Sequence, residues 1–525
     1  MKAEHEWIKE LARKKIYDNK DIIELLRYDN TSLWFLVEPW LNNTSKHYYS
    51  INEIFDIAYN KSNIRKKRLF FRWVPKAMFF LKILARKIRI PKNKIKKSKV
   101  LVATHPSFYQ NNINVRVGIL IEKLQESYSA STVLYEDLAS LGSKTIGIVR
   151  KYRNSHAVEV FFDVNLAFEI IKKSLKYLRV WNHILKSEKF RNELVINNRD
   201  CSKMILPLLE DIISKMIIES IFYFEITKKI IDRFKPKLIV SGGGLTTQER
   251  AIIHAANEKN IKAYSVQEGL VCDSLYHCCT EDDIKRGYKT PDKMFVYGQA
   301  TKDILTKEKG YKSRNIIIVG SPNSDYIERL RKKIDKISEL KRLKLDPELK
   351  TITFFTVPCA IPLMEKMFMD VVYPIKRIGN LNLIVKLHPR DMLYNRYKEI
   401  LNKSGIQNVQ IIKDVNVYNT LLISDVSIVY SFCTVCLEAL MSKKKTLILN
   451  IDIGYGIHKK FLKMSKFIVN KPKEIEKMIR DIVEDEKKET IRGNDEKINK
   501  FITNEVYKVD GKVNERIMDK INKDY

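Results

Sequence analysis

The chain has 525 residues, and its 96 Lys and Arg against 63 Asp and Glu leave a formal net charge of +33. Hydrophobic residues make up 45% and charged residues 30%, which excludes a collagen-like or wholly disordered chain and predicts about two to four globular domains. So large a charge favours nucleic acid, an anionic membrane surface or an anionic substrate as a partner. The abundance of Lys, Ile and Asn, typical of an AT-rich genome, is an alternative explanation for part of it.

The cysteines and the N-terminus predict a reducing, cytoplasmic compartment. Seven cysteines in so long a chain are an odd and sparse set, unlike a disulfide-stapled scaffold. Residues 1–20 are charged throughout and lack the apolar core of a signal peptide. No uninterrupted apolar run reaches the ~18 residues that span a bilayer, so we do not expect an integral membrane protein.

Nearly half of the net charge lies in residues 61–99, which hold 16 Lys and Arg and no acidic residue. Within this segment, residues 69–86 alternate aromatic and aliphatic side chains with cations at roughly helical spacing. That pattern is typical of a helix that lies in an anionic membrane interface. The alternative is a basic helix that packs on the next domain with its charges in water. No zinc-finger, aromatic RNA-binding or basic-zipper motif is present, so we expect no nucleic acid.

Residues 1–95 predict a helical extension, and apolar strands then alternate with amphipathic helices. The predicted strands are Lys99–Thr104, Ser131–Tyr135, Lys237–Ser241, Ala263–Val266, Lys293–Gly298, Asn315–Gly320, Thr351–Thr356, Leu383–Leu387, Val409–Ile412, Val426–Tyr430 and Thr446–Asn450. The predicted helices are Ile113–Leu124, Val158–Leu185, Lys203–Phe234, Thr246–Lys259, Asn323–Lys344, Leu363–Lys376, Asn395–Lys403, Val417–Ser424 and Thr434–Ser442.

Short, continuous apolar runs are typical of strands buried on both faces of a parallel sheet, and strand–helix alternation is typical of doubly wound folds. We therefore predict a GT-B-like α/β protein in which two Rossmann-like domains, residues 96–345 and 346–470, face a cleft. A helical extension precedes them at 1–95, and a helical tail follows at 471–525. Ligands bind such folds at the carboxyl ends of the strands, so the residues there form the candidate site.

One predicted strand, Leu383–Leu387, contains Lys386 and is followed by His388, Pro389 and Arg390. Proline ends the strand and holds the imidazole at the sheet edge. A histidine beside two cations suits a phosphate leaving group, because it can donate a hydrogen bond or a proton as negative charge develops. A histidine that only caps a tight turn is the alternative.

The strand Val426–Tyr430 leads into a helix through small hydroxyl residues. Ser431 and Thr434 lie at the helix N-terminus, where free N–H groups and the helix dipole favour a phosphate. Glu438, about one turn further, is within reach of a ribose hydroxyl; ordinary helix capping is the alternative for this turn. Cys433 and Cys436 have CxxC spacing, but without a second pair we expect packed thiols rather than zinc.

Glu268 and Gly269 follow the strand that ends at Val266. A carboxylate at a sheet edge can act as the general base for an acceptor hydroxyl, and Gly269 permits a sharp exit from the strand. A solvated loop glutamate is the alternative. Two other strand ends carry residues that we place on the acceptor side: Gly242, Gly243, Gly244 and His105. The glycines let a ligand approach the backbone, and His105 is more simply a turn residue.

The chain contains no Asp-x-Asp sequence, whereas metal-dependent sugar transferases on a single Rossmann domain use such a pair to hold the metal of the diphosphate. We therefore expect no metal and no other cofactor, with the leaving group held by His, Lys, Arg and a helix end. His277, Cys278 and Cys279 are adjacent and cannot easily share one tetrahedral ion.

Together these motifs resemble those of GT-B glycosyltransferases, in particular the bacterial sialyltransferase, polysialyltransferase and Kdo-transferase group of surface-polysaccharide synthesis. The matching residues are Glu268-Gly269, His388-Pro389 and the stretch from Ser431 to Thr434. Gln267 stands where the group has a second acid, and Phe432 and Cys433 interrupt its serine motif. The block from Asp292 to Asp325, with Gly298, is similar to the link region of capsule and other surface-polysaccharide transferases.

The resemblance implies inverting transfer of a sugar, such as a CMP-activated acidic sugar, from a nucleotide donor to a cell-surface glycan or lipid-linked glycan. By this resemblance Glu268 deprotonates the acceptor hydroxyl. The groups that hold the departing nucleotide are His388, the Ser431–Thr434 helix end, the cations Lys386 and Arg390, and Glu438 on the ribose. With the basic segment, this predicts a cytoplasmic enzyme at the inner face of the cell membrane.

Three other functions stay open. A polyol-phosphate transferase of the CDP-glycerol type has the same architecture and the His-Pro motif, and a UDP-sugar 2-epimerase has a related architecture. A non-catalytic protein that binds an anionic polymer through residues 61–99 is the third.

Overall fold

The computed structural model describes residues 10–37, 74–106, 109–110, 113–114, 117–136, 143–196, 199–200, 202–243, 246–271, 279–357, 361–389, 391–413, 415–430, 433–450, 468–484 and 495–524. The chain divides into two compact units. Unit 1 comprises Met1–Tyr109, Ile121–Phe295 and Lys302–Ile317, and unit 2 comprises Gln110–Leu120, Val296–Thr301 and Ile318–Tyr525.

Unit 1 is built around a seven-stranded sheet. Its strands are β1 (Val100–Thr104), β2 (Ser131–Leu134), β3 (Ser155–Ala157), β4 (Leu238–Gly242), β5 (Lys262–Val266), β6 (Lys293–Val296) and β7 (Ile316–Ile318). The longer helices in this part of the chain are α1 (Val74–Arg89), α2 (Gly118–Tyr128), α3 (Ser143–Lys151), α4 (Val164–Lys186), α5 (Ser202–Phe234) and α6 (Thr247–Glu258). Short helices are Ile22–Leu25, Val158–Phe161, Glu188–Asn192, Glu281–Lys285, Gln299–Asp303, Ile304–Glu308 and Ser313–Asn315, and two-residue strands are Arg27–Tyr28, Thr31–Ser32, Tyr109–Gln110, Ile113–Asn114, Val195–Ile196 and Arg199–Asp200.

The strand order of this sheet, β7-β6-β5-β4-β1-β2-β3, reverses once, between β1 and β4. The chain lays down β1 to β3 in one direction, returns to place β4 beside β1, and continues in the other direction. β4 pairs in parallel with both β1 and β5. Doubly wound sheets bind ligands at such a reversal, outside the carboxyl ends of the two strands, which here are Thr104 and Gly242.

Unit 2 is built around a six-stranded sheet. Its strands are β8 (Lys350–Phe355), β9 (Leu381–Lys386), β10 (Val409–Ile412), β11 (Val426–Tyr430), β12 (Lys445–Leu449) and β13 (Ile468–Val469). Its helices are α7 (Pro322–Arg331), α8 (Lys336–Arg342), α9 (Ile361–Ile378), α10 (Tyr394–Ser404), α11 (Val417–Ile423), α12 (Thr434–Met441), α13 (Lys473–Glu484), α14 (Asp495–Val506) and α15 (Val513–Asp524).

All neighbouring strands of this second sheet run parallel, in the order β10-β9-β8-β11-β12-β13. In chain order this is 3-2-1-4-5-6, the Rossmann arrangement, with its reversal between β8 and β11. The core forms where β8 meets α9 and β11, since the Phe354 ring lies 5.6 Å from that of Phe368 and 5.1 Å from that of Tyr430. The predicted α/β class with two Rossmann-like sheets is confirmed.

The predicted strands lie within two residues of observed ones, but two long predicted helices are interrupted. In the segment 158–185 the α-helix begins only at Val164, after the short helix Val158–Phe161. The segment 323–344 is divided between α7 and α8. At both points an aspartate, Asp163 or Asp335, accepts a hydrogen bond from the first turn of the new helix. Apolar periodicity continues across these breaks, whereas a capping aspartate starts a new helix, so the prediction of one continuous helix was wrong.

The described part of the basic segment begins with α1, which packs on the rest of unit 1. Arg86 is buried and forms ion pairs with Glu136 and Glu159. Lys87 donates a hydrogen bond to the carbonyl of Phe162. Residues 61–73 lie outside the described residues, and lipid contact by this segment stays a prediction. Among the described residues, no helix is both long enough and apolar enough to cross a membrane.

The last helices of the chain belong to unit 2 and are held by buried contacts. Asp325, in the first turn of α7, accepts hydrogen bonds from the backbone N–H groups of Val513 and Asn514 at 3.0 and 2.8 Å. It therefore satisfies the first turn of α15 from outside that helix. Gly298 has to be glycine, because a Cβ there would lie 2.3 Å from the carbonyl oxygen of Asn504.

Replacing Asp325 should destabilise unit 2. Asp325→Ala leaves two buried N–H groups without their acceptor, so we expect urea denaturation to show a loss of about 2 kcal/mol of unfolding free energy. Asp325→Asn keeps one acceptor oxygen and should lose about half as much. Asp481→Ala, at an exposed position of α13, is the matched control and should change the unfolding free energy by less than about 0.5 kcal/mol. Equal values for all three variants would contradict this role.

Two buried histidines of unit 1 are neutral in the folded protein. His156 in β3 lies between the rings of Phe161 and Phe234, at 6.2 and 5.4 Å, and burial lowers its pKa to about 4. For His254 in α6, burial and then the nearby positive charge of Arg250 lower the pKa to about 3. Both folded-state values lie below the ~6.5 of an unfolded histidine, so the unfolded chain binds these protons more readily.

The unfolding free energy should therefore fall as the pH drops from about 6.5 toward 4. Each histidine contributes a slope of about 1.4 kcal/mol per pH unit within that window and nothing above it. His156→Phe removes one of these groups and keeps an aromatic ring in the aromatic pocket, so it should flatten the slope by that amount. Urea denaturation between pH 4.5 and about 7.5 measures it; equal slopes for the wild-type protein and the variant would refute the assignment.

Candidate active site

The predicted His-Pro turn follows β9 in unit 2, and a closed set of hydrogen bonds holds its backbone. The N–H of His388 donates to Thr356 Oγ1 at 3.0 Å, and that hydroxyl donates to Asp391 Oδ2 at 2.8 Å. The N–H of Asp391 in turn donates to the carbonyl of His388 at 2.8 Å. His388 itself is half-buried and Pro389 is exposed. The structure thus places the imidazole at the end of β9 on a backbone that cannot shift without breaking these bonds.

The residues that hold this turn were not among those predicted from the sequence. Asp391 is buried, and besides Thr356 it accepts a hydrogen bond from the hydroxyl of Tyr397 at 2.9 Å. Thr356 follows β8, the neighbour of β9, so reading the end of that strand as a candidate position would have found it. Asp391 lies three residues after His388, and an acid so close to a strand-end histidine is the signal that could have identified it.

Of the two cations predicted beside His388, the structure describes Lys386. Lys386 is only 5% exposed, and its ammonium group donates to the backbone carbonyls of Leu387, at 3.3 Å, and Lys413. These contacts anchor the end of β9 to the end of β10. Arg390 lies outside the described residues. A role for either cation at a donor phosphate stays a prediction.

The second group of residues predicted to bind the nucleotide donor follows β11. Cys433 precedes α12 and Thr434 is its first residue, so the first turn of α12 lies beside the reversal between β8 and β11. Ser431 lies outside the described residues. Burial raises the pKa of Cys433 to about 11 and that of Cys436 above its usual value, so both thiols are protonated at neutral pH.

Glu438, predicted to hold a ribose, belongs to a buried network within unit 2. Its Oε1 accepts hydrogen bonds from Asn323 Nδ2 at 2.9 Å and from the Tyr418 hydroxyl at 3.0 Å. Tyr418 also packs edge-on against Tyr326, with the ring centroids 5.4 Å apart. The carboxylate therefore joins α7, α11 and α12, and the sequence analysis missed Asn323 and Tyr418 because they lie far from it along the chain.

Unit 1 contributes a pair of buried carboxylates at the end of β4. A Cβ on Gly242 would lie 2.1 Å from Glu249 Oε1 and 2.3 Å from Glu268 Oε1, so the two carboxyl groups lie close together over this glycine. Both side chains are 7% exposed. Glycine at position 242 makes room for this pair, whereas the sequence analysis expected it to admit a ligand.

Glu249, the partner of Glu268 in this pair, was not among the residues predicted from the sequence. It forms a capping box at the start of α6, in which its Oε2 accepts from the N–H of Thr246 at 3.1 Å and its own N–H donates to the Thr246 hydroxyl. One carboxylate oxygen is thus used by the helix cap, and the other lies beside Gly242. The Thr-x-x-Glu spacing of a capping box was visible in the sequence and would have placed Glu249 at this sheet edge.

Of the other residues predicted on the acceptor side, the structure describes His105, Gly243 and Gly269. His105 follows β1, the neighbour of β4, and is half-buried. A Cβ on Gly243 would make only ordinary contacts, the nearest at 3.7 Å. The carbonyl of Gly269 accepts a hydrogen bond from Gln267 Nε2 at 2.7 Å, which closes the turn after β5. Gly244 lies outside the described residues.

No protein-family model matches the chain, and no curated protein is similar to it in sequence. Its structure is similar to a putative UDP-N-acetylglucosamine 2-epimerase from Listeria monocytogenes, with 14% identity, a TM-score of 0.51, and coverage of 82% of this chain and 97% of that chain. It also matches a UDP-N-acetylglucosamine 2-epimerase (15%, 0.49, 81% and 96%) and the wall teichoic acid polymerase TagF (13%, 0.46, 86% and 98%). The likeness to the Listeria structure shows the fold, a GT-B-like pair of Rossmann-like domains.

The Thr356 hydroxyl should control the local stability of the His-Pro turn. Thr356→Val removes the acceptor of the His388 N–H, so we expect that amide to exchange with solvent about fivefold faster, in line with the loss of ~1 kcal/mol from one hydrogen bond. Thr356→Ser keeps the hydroxyl and is the matched control. Hydrogen exchange of peptides that span residues 387–393 measures the effect. Unchanged exchange in the valine variant would show that the turn is held by other contacts.

Proposed function

We propose that the chain is a metal-independent, inverting glycosyltransferase that uses a nucleotide-activated sugar. The observation that carries this proposal is the arrangement of unit 2, where the sheet has the Rossmann strand order and two strand ends beside its reversal carry polar groups. His388 stands on one side of the reversal on a backbone held by Thr356 and Asp391, and the first turn of α12 stands on the other.

In this proposal unit 2 binds the nucleotide. The N-terminal end of α12, with Ser431 and Thr434, receives the phosphate, which the helix dipole favours there, and His388 stabilises the negative charge that develops on it. Arg390 and Lys386 add positive charge. Glu438 on α12, whose Oε1 accepts hydrogen bonds from Asn323 and Tyr418, is the residue that we assign to the ribose.

Unit 1 supplies the base in this proposal. Glu268, at the end of β5, takes the proton of the acceptor hydroxyl, and the carboxylate of Glu249 lies beside it over Gly242. The acceptor that we propose is a glycan or a lipid-linked glycan, and an acidic, CMP-linked sugar is the first donor to test.

The carboxylate pair also supports a second candidate, a UDP-sugar 2-epimerase. An enzyme that inverts a sugar carbon must remove a proton and return one, and two acids side by side can divide those tasks. Such an enzyme needs no acceptor. In deuterated water it should incorporate solvent deuterium at carbon 2 of the donor, whereas the glycosyltransferase should release free nucleotide only when an acceptor is present.

A screen of CMP-, UDP-, GDP- and CDP-linked donors tests the proposal, with free nucleotide and transferred product as readouts. With the donor that reacts, Glu268→Gln and His388→Ala should each lower turnover by about 10²- to 10⁴-fold, because each removes a group that moves or stabilises a proton or charge in the transition state. Glu281→Gln, at an exposed surface position of unit 1, is the matched control and should leave turnover unchanged.

Full activity in either variant would remove that residue from the mechanism. If CDP-linked polyol is the donor that reacts, the enzyme is a polyol-phosphate transferase on the same fold. Turnover with none of the donors, combined with tight and salt-sensitive binding of an anionic polymer, would replace the enzymatic proposal with a binding function.

A further inference from the structure

Five of the eleven large apolar side chains that are exposed among the described residues lie on two helices of unit 1. They are Leu81 (63% exposed) and Ile88 (84%) on α1, and Val164 (60%), Phe168 (69%) and Ile171 (38%) on α4. Single exposed apolar residues are common on protein surfaces, whereas several at helical spacing on adjoining helices form a face.

Helix α1 carries apolar side chains on two opposite sides, one of them buried and the other exposed. Ile83 and Arg86 are buried against unit 1, and the ion pairs of Arg86 with Glu136 and Glu159 hold that side in place. Leu81 and Ile88 are seven residues apart and lie on the opposite side, which faces solvent. Packing on unit 1 therefore satisfies only half of the amphipathic pattern of this helix.

Helix α4 repeats this arrangement. Val164, Phe168 and Ile171 recur at spacings of four and three residues, so they form one exposed stripe along the first two turns. The opposite side of α4 is buried, through residues that include Leu166, Ile170 and Trp181.

The two helices adjoin at the turn that leads into α4. The ring of Phe80 in α1 stacks on that of Phe162, with centroids 5.9 Å apart, and Lys87 donates to the Phe162 carbonyl. Phe162 lies two residues before the first residue of α4. Both exposed stripes thus lie on helices that meet at Phe162, and we name the two stripes together the α1–α4 face.

Cations border the α1–α4 face. The exposed ones are Lys82 and Arg89 on α1, and Lys172, Lys176 and Arg179 on α4. The acids nearby are paired: Glu169 lies 2.7 Å from Lys173, and Asp163 forms an ion pair with Lys229. Lys173 also pairs with the buried Glu225. The net charge around the apolar stripes is therefore positive.

The combination of exposed apolar side chains with surrounding cations indicates which partner binds the α1–α4 face. A second copy of the chain, docked symmetrically on the same face, would bring these cations opposite one another. An anionic bilayer offers both complements at once, since its acyl region receives the apolar side chains and its headgroups meet the cations. We propose that the α1–α4 face docks on an anionic lipid surface, and that α4 contributes to this contact alongside the basic segment.

Co-sedimentation of the full-length protein with vesicles tests this proposal and needs no sugar donor, so it is independent of the proposed activity. We expect binding to phosphatidylcholine vesicles that contain phosphatidylglycerol, weaker binding in high salt, and little binding to phosphatidylcholine alone. Equal binding to both kinds of vesicle would overturn the electrostatic part of the argument and with it the choice of occupant.

Substitutions in the exposed stripe of α4 give the most discriminating test, because α4 lies outside residues 61–99, the segment predicted from the sequence to contact a membrane. Phe168→Ser with Ile171→Ser should weaken vesicle binding by about tenfold or more, since each substitution removes an apolar side chain from the interface. Ile337→Ser with Met392→Ser is the matched control, because these side chains of unit 2 are 54% and 83% exposed. The control should bind as the wild-type protein does.

A variant that removes positive charge separates the electrostatic contribution to vesicle binding from the apolar contribution. Lys172→Gln with Lys176→Gln should weaken binding by about fivefold per cation and reduce its dependence on salt. All these positions are exposed, so unchanged thermal unfolding is expected and verifies that the fold is intact. Wild-type binding by the α4 variant would overturn the proposal. So would a concentration-dependent dimer in the analytical ultracentrifuge that the α4 variant abolishes, which would identify a second copy as the occupant.

Discussion

In a parallel sheet the carboxyl ends of all strands lie at one edge. Where the strand order reverses, the connecting helices on the two sides diverge, and a crevice at that edge stays open to a ligand. Each unit has one such point, between β1 and β4 in unit 1 and between β8 and β11 in unit 2. The strands are largely buried on both faces, so the side chains that remain open to a ligand are those where the strands end. The carboxylate pair over Gly242 and the His388 turn both follow from this constraint.

The fold was predictable because the signal for buried parallel strands is local. Strands such as β8 and β11 consist mostly of β-branched and aromatic residues that are buried, and they were located to within two residues. Helix boundaries were harder, because Asp163 and Asp335 restart a helix without disturbing the apolar spacing. A short polar side chain that bonds to the next turn outweighs a continuous hydrophobic pattern.

The candidate site was predictable only in its residues that directly follow strands. Glu268 and His388 could be found because the position after a buried strand identifies them. Their neighbours could not, since Thr356 reaches His388 from 32 residues away and Asn323 reaches Glu438 from 115 residues away along the chain. Such contacts depend on strand pairing and helix placement, which a local pattern does not encode. Glu249 is intermediate, because its capping box is local but its proximity to Glu268 is not.

In the basic segment, packing on the protein and the proposed docking on a membrane are compatible, although they looked like alternatives. Burying Arg86 is unfavourable unless carboxylates meet it, and Glu136 and Glu159 do so, which fixes the rotation of α1 about its own axis. With the rotation fixed, Leu81 and Ile88 must point away from unit 1. Packing on the protein therefore does not compete with docking on a membrane; the ion pairs inside determine which apolar residues remain outside. The formal charge of +33 accordingly separates into a few cations that hold the fold, such as Arg86, and many that remain exposed around an apolar face.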